Sequence, residues 1–293
     1  MNLVVGATGI LGSEICRQLA AAGLLVRGLA RPTSAPDRVA QLKAMGVQIV
    51  LGDLRQPATL RAACRGVQAV ISTASSLLSR QPGDSIPITD QQGQLNLVQA
   101  ARAAGVGRFV LIGILPDMAA CPLATAKQVV AQAVQNSGMA YTILNPGLFM
   151  ESWLSAALGF DCANTRATIY GEGQAANSYI SLEDVAKIAV ESLSNPAACN
   201  AIFEIGLPTL YSQLEVVRVF EKVSGSCFEL QFVPAAVLAA QRAAATDPFQ
   251  ESFAALIHQL ALGTRLDSSA VRQVFRTPFV SMEDYAQRVM GSL

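Results

Sequence analysis

The chain has 293 residues, 52% of them hydrophobic, and its 21 lysines and arginines balance 21 aspartates and glutamates. That balance excludes the net field that draws a protein to nucleic acid or anionic lipid, and points to a small neutral or weakly charged ligand. Apolar runs such as Phe109 to Leu115 are far short of the roughly 18 residues of a membrane span, so no span is expected.

In chain order, "MNLVVGATG" enters a strand directly, without a basic region, a long apolar segment or a small-residue cleavage site, and a cytoplasmic location is expected. "NLVV" is followed by a helical pattern over 10–22, "LLVRGL" by one over 36–45, "VQIV" by 57–65 and "VQAVIS" by 89–104. "RFVLIG" precedes a helix over 123–136, "AYTILN" comes next, and a helix over about 181–194 leads to "NAIFEI". Strict alternation of this kind implies a parallel sheet covered on both faces, and strands that are apolar throughout agree with that burial. From about residue 206 the pattern turns mostly helical, with "AAVLAAQRAAA" and "DPFQESFAALIHQLALG". The expected fold is therefore α/β: a doubly wound parallel sheet of the Rossmann type with a smaller, mostly helical C-terminal substrate region.

Six cysteines, at 16, 64, 121, 162, 199 and 227, lie tens of residues apart with no CxxC pair and no histidine cluster. They suggest neither zinc nor a disulfide framework and read as reduced, mostly buried apolar residues.

Ligands of doubly wound sheets sit beyond the carboxyl ends of the strands, where the strand order reverses. Two loops there are longer than a tight connection needs: "SSLLSRQPGDSIPITDQQ" after the fourth strand, and 150–178 after the sixth. Between the first strand and first helix stands "GATGILGS". Gly6 permits the tight turn, Gly9 lets a pyrophosphate approach the backbone, Gly12 lets helix and strand pack closely, and N–H groups at the helix start bind phosphate. At the end of the second strand, where a carboxylate would accept a bond from a ribose 2′-OH, stands Arg31, and the first acid is Asp37. Arg31 suits a 2′-phosphate, with Thr33 and Ser34 as further donors, so NADP(H) is expected in preference to NAD(H). Asp53 and Leu54 would border the adenine, and Ser72, Thr73 and Ala74 would pass beneath the nicotinamide ribose.

"GATGILG", "GDL", "AARAAGVGRFVLIG", "YTILNPGLFME" and "YISLEDVA" follow in that order. Together they resemble the NmrA-like atypical short-chain dehydrogenase/reductases, a group with quinone-reductase and isoflavone-reductase-type enzymes and NADP-sensing regulators. The resemblance covers roughly 1–205 and continues weakly in "TPFVSMEDYAQR". It implies phosphate contacts from Gly6, Ala7, Thr8, Gly9, Ile10 and Leu11, and a nicotinamide pocket walled by Pro146, Gly147 and Phe149. The division expected is a dinucleotide-binding domain over 1–149, a substrate loop region over 150–178, a return of the first domain over 179–205, and a cap over 206–293. In "YISLED", Ser181 and Asp184 suit a helix start and are read as structural.

Ordinary members of the superfamily carry a serine after the fifth strand and a Tyr-x-x-x-Lys on the next helix, the tyrosine protonating the substrate oxygen. Here "VLIGILPD" places Gly113 and Ile114 at the serine's position, and Leu123 stands four residues before Lys127. Lys127 lies roughly 90° from the centre of a face formed by Val129, Val130, Ala133 and Val134, which fits a side chain reaching into a cleft and equally a snorkelling surface lysine. The resemblance favours a ribose or substrate contact, and Lys127 is the candidate catalytic residue. Tyr170 and Tyr179 are possible replacements for the missing tyrosine, with packing as the plainer reading. His258 projects away from the Phe249, Phe253, Leu256, Leu260 stripe and is expected to be exposed.

Hydride transfer to a carbonyl needs an acid at the oxygen, whereas a conjugated acceptor gives a less basic anion that water can protonate. The expectation is an NADPH-dependent reductase acting on a quinone or other conjugated, aromatic small molecule. The alternative is a non-catalytic NADP(H)-binding redox sensor, regulator or assembly factor, with a homodimer or protein partner possible in either case.

Overall fold

The computed structural model describes residues 1–77, 80–116 and 118–292. Leu78 and Ser79 of the loop after the fourth strand, and Asp117 of "VLIGILPD", lie outside the described residues. The strands in chain order are β1 (Asn2–Val5), β2 (Val26–Ala30), β3 (Gln48–Leu51), β4 (Ala69–Ser72), β5 (Arg108–Ile112) and β6 (Ala140–Pro146). They continue with β7 (Leu148–Phe149), β8 (Phe160–Asp161), β9 (Arg166–Tyr170), β10 (Tyr179–Ile180), β11 (Ala201–Ile205) and β12 (Glu229–Val233). Between the early strands lie helices α1 (Ile10–Ala21), α2 (Pro36–Ala44), α3 (Pro57–Cys64), α4 (Gln94–Ala103) and α5 (Pro122–Gln135).

Seven strands form one sheet in the order β11-β6-β5-β4-β1-β2-β3, and the pairings from β6 through to β3 are parallel. The order reverses between β1 and β4, so the loops following these two strands flank the switch point. β1 and β4 are buried along their whole length. The edge strand β3 is not, and it exposes Leu51 at 62%.

The chain divides into two compact units, one of 1–114, 122–145 and 185–203, the other of 115–121, 146–184 and 204–293. In the first, Leu3, Val70, Phe109 and Ile143 of the sheet pack with Leu60, Leu97, Val130 and Val134 of α3, α4 and α5. The helix read at 89–104 differs: a π-helical segment, Ile86–Gly93, precedes α4. Pro87 fits the first turn of that segment, and Ser85 accepts a bond from the Ile88 N–H. The wider turn brings Asp90 and Gln94 to buried positions, at 0% and 1% exposure.

The second unit is less purely helical than its composition suggests. β9 pairs antiparallel with β8 and parallel with β12, so both the 150–178 stretch and the C-terminal region contribute strands. Phe160 of β8 meets Phe220 edge-on at 4.9 Å and Phe228 at 5.5 Å, and Tyr285 joins the cluster 6.4 Å from Phe220. The helix Gln213–Ser224 begins with a capping box between Ser212 and Glu215. Among the described residues no helix is long and apolar enough to cross a membrane.

Candidate functional site

The glycine loop is a tight backbone turn between β1 and α1. Gly6 sits at φ 86°, in the left-handed region, and a Cβ there would lie 2.6 Å from Thr73 Oγ1 and 2.9 Å from the Ala74 nitrogen. The loops after β1 and β4 therefore pass each other in contact, as the strand order requires. A Cβ on Gly12 would lie 2.1 Å from the Gly6 carbonyl oxygen, so the first turn of α1 closes on the strand as only glycine allows. Gly9 and Ile10 are exposed, Gly6 and Thr8 half-buried, Ala7 and Leu11 buried. No acidic residue stands in the first turn of α1, and Gly9 caps it without a side chain, leaving the first N–H groups to a ligand. These features fit a dinucleotide pyrophosphate. Behind the loop, Ser72 Oγ donates to Gln94 Oε1 at 2.8 Å and Gln94 Nε2 donates to the Ala74 carbonyl at 2.9 Å, which fixes the exit of β4.

Beyond β2, Arg31 is a held side chain rather than a solvated loop charge. Its guanidinium donates to Asp84 Oδ2 at 2.6 Å, and the Asp84 side chain is 1% exposed. Ser34 Oγ accepts from the Arg31 N–H at 3.0 Å, and Thr33 Oγ1 donates to Gln81. Asp53 is bracketed by Arg55, whose Nη2 lies 2.6 Å from Oδ2, and Arg55 also stands 3.7 Å from Asp84. Leu54 is buried beside them. The Arg55 bonds hold the Asp53 carboxyl below the usual carboxylate range. Burial alone would raise Asp84, but bonds from Arg31, the Gln81 N–H and Thr89 outweigh it and hold this acid low as well. Two arginines thus sit against two ionised carboxylates at the end of β2 and β3. Arg55 and Asp84 escaped sequence reading, although Arg55 stands two residues past "GD" and Asp84 is the only acid within "SRQPGDS".

At the far end of β5, Lys127 is 7% exposed and donates to the Ile112 carbonyl at 3.0 Å. The buried stripe of α5 contains Leu123, Lys127, Val130 and Val134, while Val129 is 38% exposed. This corrects the face expected from the valines: the lysine sits inside the stripe, not on its flank, because 123, 127, 130 and 134 follow the spacing of one helix face. Burial pushes the Lys127 ammonium below its ordinary pKa, and the Asp90 carboxylate opposes that shift. Asp90 itself accepts bonds from the Ser76 N–H at 3.2 and 3.1 Å and from the Ser76 hydroxyl. Leu123, at the position of the missing tyrosine, is 4% exposed and offers no proton.

In the second unit, the Gly147 N–H donates to the Ile205 carbonyl at 2.8 Å, and a Cβ on Gly147 would lie 2.4 Å from the Ser178 oxygen. Pro146 is buried and Phe149 half-buried. The Tyr170 hydroxyl donates to the Leu158 carbonyl at 3.3 Å, which commits it to packing. Tyr179 is 1% exposed, and burial raises its pKa. His258 is half-buried, not exposed, because the helix Pro248–Leu262 buries Ser252, Ala255, Ile257 and Leu260. A cavity of about 480 Å³ in this unit is lined by Leu115, Met118, Gln174, Leu262, Arg265 and Leu266 among others. The cysteines are free, with Cys199 and Cys227 exposed, and burial pushes the thiols of Cys16 up to about 12 and of Cys64 and Cys162 to about 11. Among the described residues no group of three histidine, cysteine or acidic side chains could hold a metal.

Residues 2–265 match the model of the NmrA-like family. An NAD(P)H azoreductase of Xenophilus azovorans is 34% identical over 232 residues, spanning 77% of this chain and 74% of that protein. The photosystem II assembly factor Ycf39 of Synechocystis sp. is 30% identical over 240 residues, spanning 80% and 71%. Among solved structures, the NADPH-dependent quinone oxidoreductase QOR2 of Escherichia coli, complexed with NADPH, superposes with a TM-score of 0.77 at 20% identity, over 99% of each chain.

Proposed function

The chain belongs to the NmrA-like family, and from that premise we propose that it is an NADPH-dependent reductase delivering hydride to a quinone or other conjugated small molecule. The observation that carries this reading is the pairing at the end of β5: a buried lysine, Lys127, held at the Ile112 carbonyl, with Leu123 in place of a proton donor. In a low-dielectric site a held hydrogen-bond donor stabilises an anion as it develops, far more than it would in water. Without a positioned acid, a simple carbonyl is poorly served. A conjugated acceptor spreads the charge, and water supplies the proton afterwards.

Gly6 to Gly12 would hold the pyrophosphate, Arg31 the 2′-phosphate, Asp53 and Leu54 the adenine side, and Ser72 to Ala74 with Lys127 the ribose near the nicotinamide. The bound cofactor would supply the hydride. The cavity of about 480 Å³ in the second unit falls in the size range of small-molecule sites. Similarity to an azoreductase supports a reductase of NAD(P) type acting on a conjugated acceptor.

A second reading is favoured by the similarity to an assembly factor together with Leu123: the chain binds NADP(H) without turnover and presents the loaded form to a protein. The test follows NADPH absorbance with purified protein and a panel of quinones, enones, azo compounds and aryl ethers, with Lys127→Ala alongside. Saturable oxidation that depends on Lys127 supports the reductase. Tight NADPH binding with no oxidation across the panel supports the second reading.

A further inference from the structure

Gly113 ends the run of β5, and its missing side chain is covered by a neighbour. A Cβ built on Gly113 would lie 2.0 Å from Asn145 Oδ1 and 3.2 Å from Asn145 Cγ. The carboxamide of Asn145, on the adjacent strand β6, therefore fills the volume that a side chain at 113 would occupy. Asn145 is half-buried, and its side chain makes no hydrogen bond to any described residue. An amide carries two donors and an acceptor, and at Asn145 none of them is spent on a described residue. A partly buried amide with none of them spent is consistent with a ligand contact.

Its position says which kind of ligand. β5 and β6 pair in parallel, with Ile112 opposite Leu144, so Gly113 and Asn145 stand side by side at the carboxyl end of the sheet, where ligands of doubly wound folds bind. One residue before Gly113, the Ile112 carbonyl accepts the Lys127 ammonium. The Lys127 side chain and an uncommitted amide thus meet the chain at consecutive residues. Lysine donates only, whereas the amide offers a directed donor that a carbonyl oxygen matches.

We propose that Asn145 binds the oxygen of a carbonyl-bearing acceptor, its Nδ2 donating to the atom on which negative charge grows during reduction. The inference rests on the reductase reading and names a contact within it. In the reaction it serves, a quinone gains one hydride from the reduced cofactor and one proton from water, giving the hydroquinone and the oxidised cofactor. The amide stabilises the intermediate anion without itself exchanging a proton, so it works where no acid is present. Glycine at 113 is then a requirement, since any side chain there would displace the amide.

The experiment compares the unmutated protein with Asn145→Ala, Gly113→Ser and the double variant Gly113→Ser/Asn145→Ala. Each is assayed for NADPH affinity by nucleotide fluorescence, for kcat and KM with 2-methyl-1,4-naphthoquinone, and for thermal stability. Asn145→Ala lowers kcat/KM about 10- to 100-fold, the range of one hydrogen bond to a developing charge, and leaves NADPH affinity within about twofold. Gly113→Ser alone loses stability, because its Cβ meets the amide. The double variant regains stability and, with the serine hydroxyl as a substitute donor, recovers kcat/KM above Asn145→Ala. Unchanged kcat/KM in Asn145→Ala, or a double variant no better than it, overturns the proposal. If the unmutated protein fails to oxidise NADPH with every quinone, enone, azo compound and aryl ether tried, the reductase reading fails instead. The contact is then judged by naphthoquinone binding to the NADP⁺-loaded variants, where the same ranking supports it and equal or absent binding overturns it.

Discussion

Replacing Asp84 by asparagine should cost stability at neutral pH and nothing in strong acid. The Asp84 carboxylate, 1% exposed on its side chain, accepts from Arg31 at 2.6 Å, from the Gln81 N–H at 3.0 Å and from Thr89 Oγ1 at 3.1 Å. Asparagine keeps the volume and one acceptor oxygen, but loses the charge that faces Arg31 and Arg55. A charge-assisted hydrogen bond contributes about 1.5–3 kcal/mol, and removing one partner of a fully buried pair costs about 3–5 kcal/mol. Arg31 and Arg55 keep 23% and 29% of their side chains exposed, so solvent takes up part of the loss and the lower figure, about 2 kcal/mol, is expected. The sign with pH follows from the carboxyl being held low in the folded state. Its stabilisation is complete above the unfolded value of about 4 and is lost as pH falls through the folded pKa. Urea unfolding at pH 7 and at a series of acid pH values measures the difference between variant and unmutated protein. A gap of about 2 kcal/mol that closes in acid is the expected result. No gap at pH 7, or one that persists undiminished in acid, would refute the reasoning.

Arg31→Ala should narrow the preference for NADPH over NADH, measured by calorimetric titration of both cofactors; equal affinities in the unmutated protein would sink the 2′-phosphate assignment. Gly12→Ala places a methyl 2.1 Å from the Gly6 carbonyl oxygen, backbone that cannot swing aside. Overpacking costs about 1–3 kcal/mol, so a lower melting temperature and loss of detectable NADPH binding are expected together. Ser212→Ala removes the bond to the Glu215 N–H at 3.2 Å and should destabilise the second unit by about 1 kcal/mol in denaturant titration, leaving NADPH affinity unchanged.

The sheet was readable from sequence because its strands are short, largely apolar runs set between helical periods, and burial of β1 and β4 along their length is what such runs mean. β8, β9 and β12 were not readable for the opposite reason. β12 leaves Glu229, Gln231 and Phe232 exposed, so its sequence carries no buried face. It is a strand only because Glu229 to Val233 pair with Arg166 to Tyr170, some sixty positions earlier. The Arg31 pairing was hidden in the same way, since its partner Asp84 lies 53 residues on. A residue read alone is a loop charge; the same residue read with its partner is part of a fixed cluster.

Lys127 failed differently, and the failure is informative. A hydrophobic count along α5 centres the buried face on the valines because it treats lysine as a residue that belongs outside. The fold centres that face on Leu123, Lys127, Val130 and Val134. Burying an ammonium with the Ile112 carbonyl as its one hydrogen-bond acceptor among the described residues weakens the helix contact that an apolar residue would strengthen. Asn145 breaks the local rule in the same direction, an amide without a partner packed over a glycine. Disagreements between local pattern and fold gather where function overrides stability. Here two of them converge on the neighbouring residues Ile112 and Gly113 at the carboxyl end of β5, while in the glycine loop pattern and fold agree. The chemistry specific to this chain is therefore to be sought around Ile112 and Gly113.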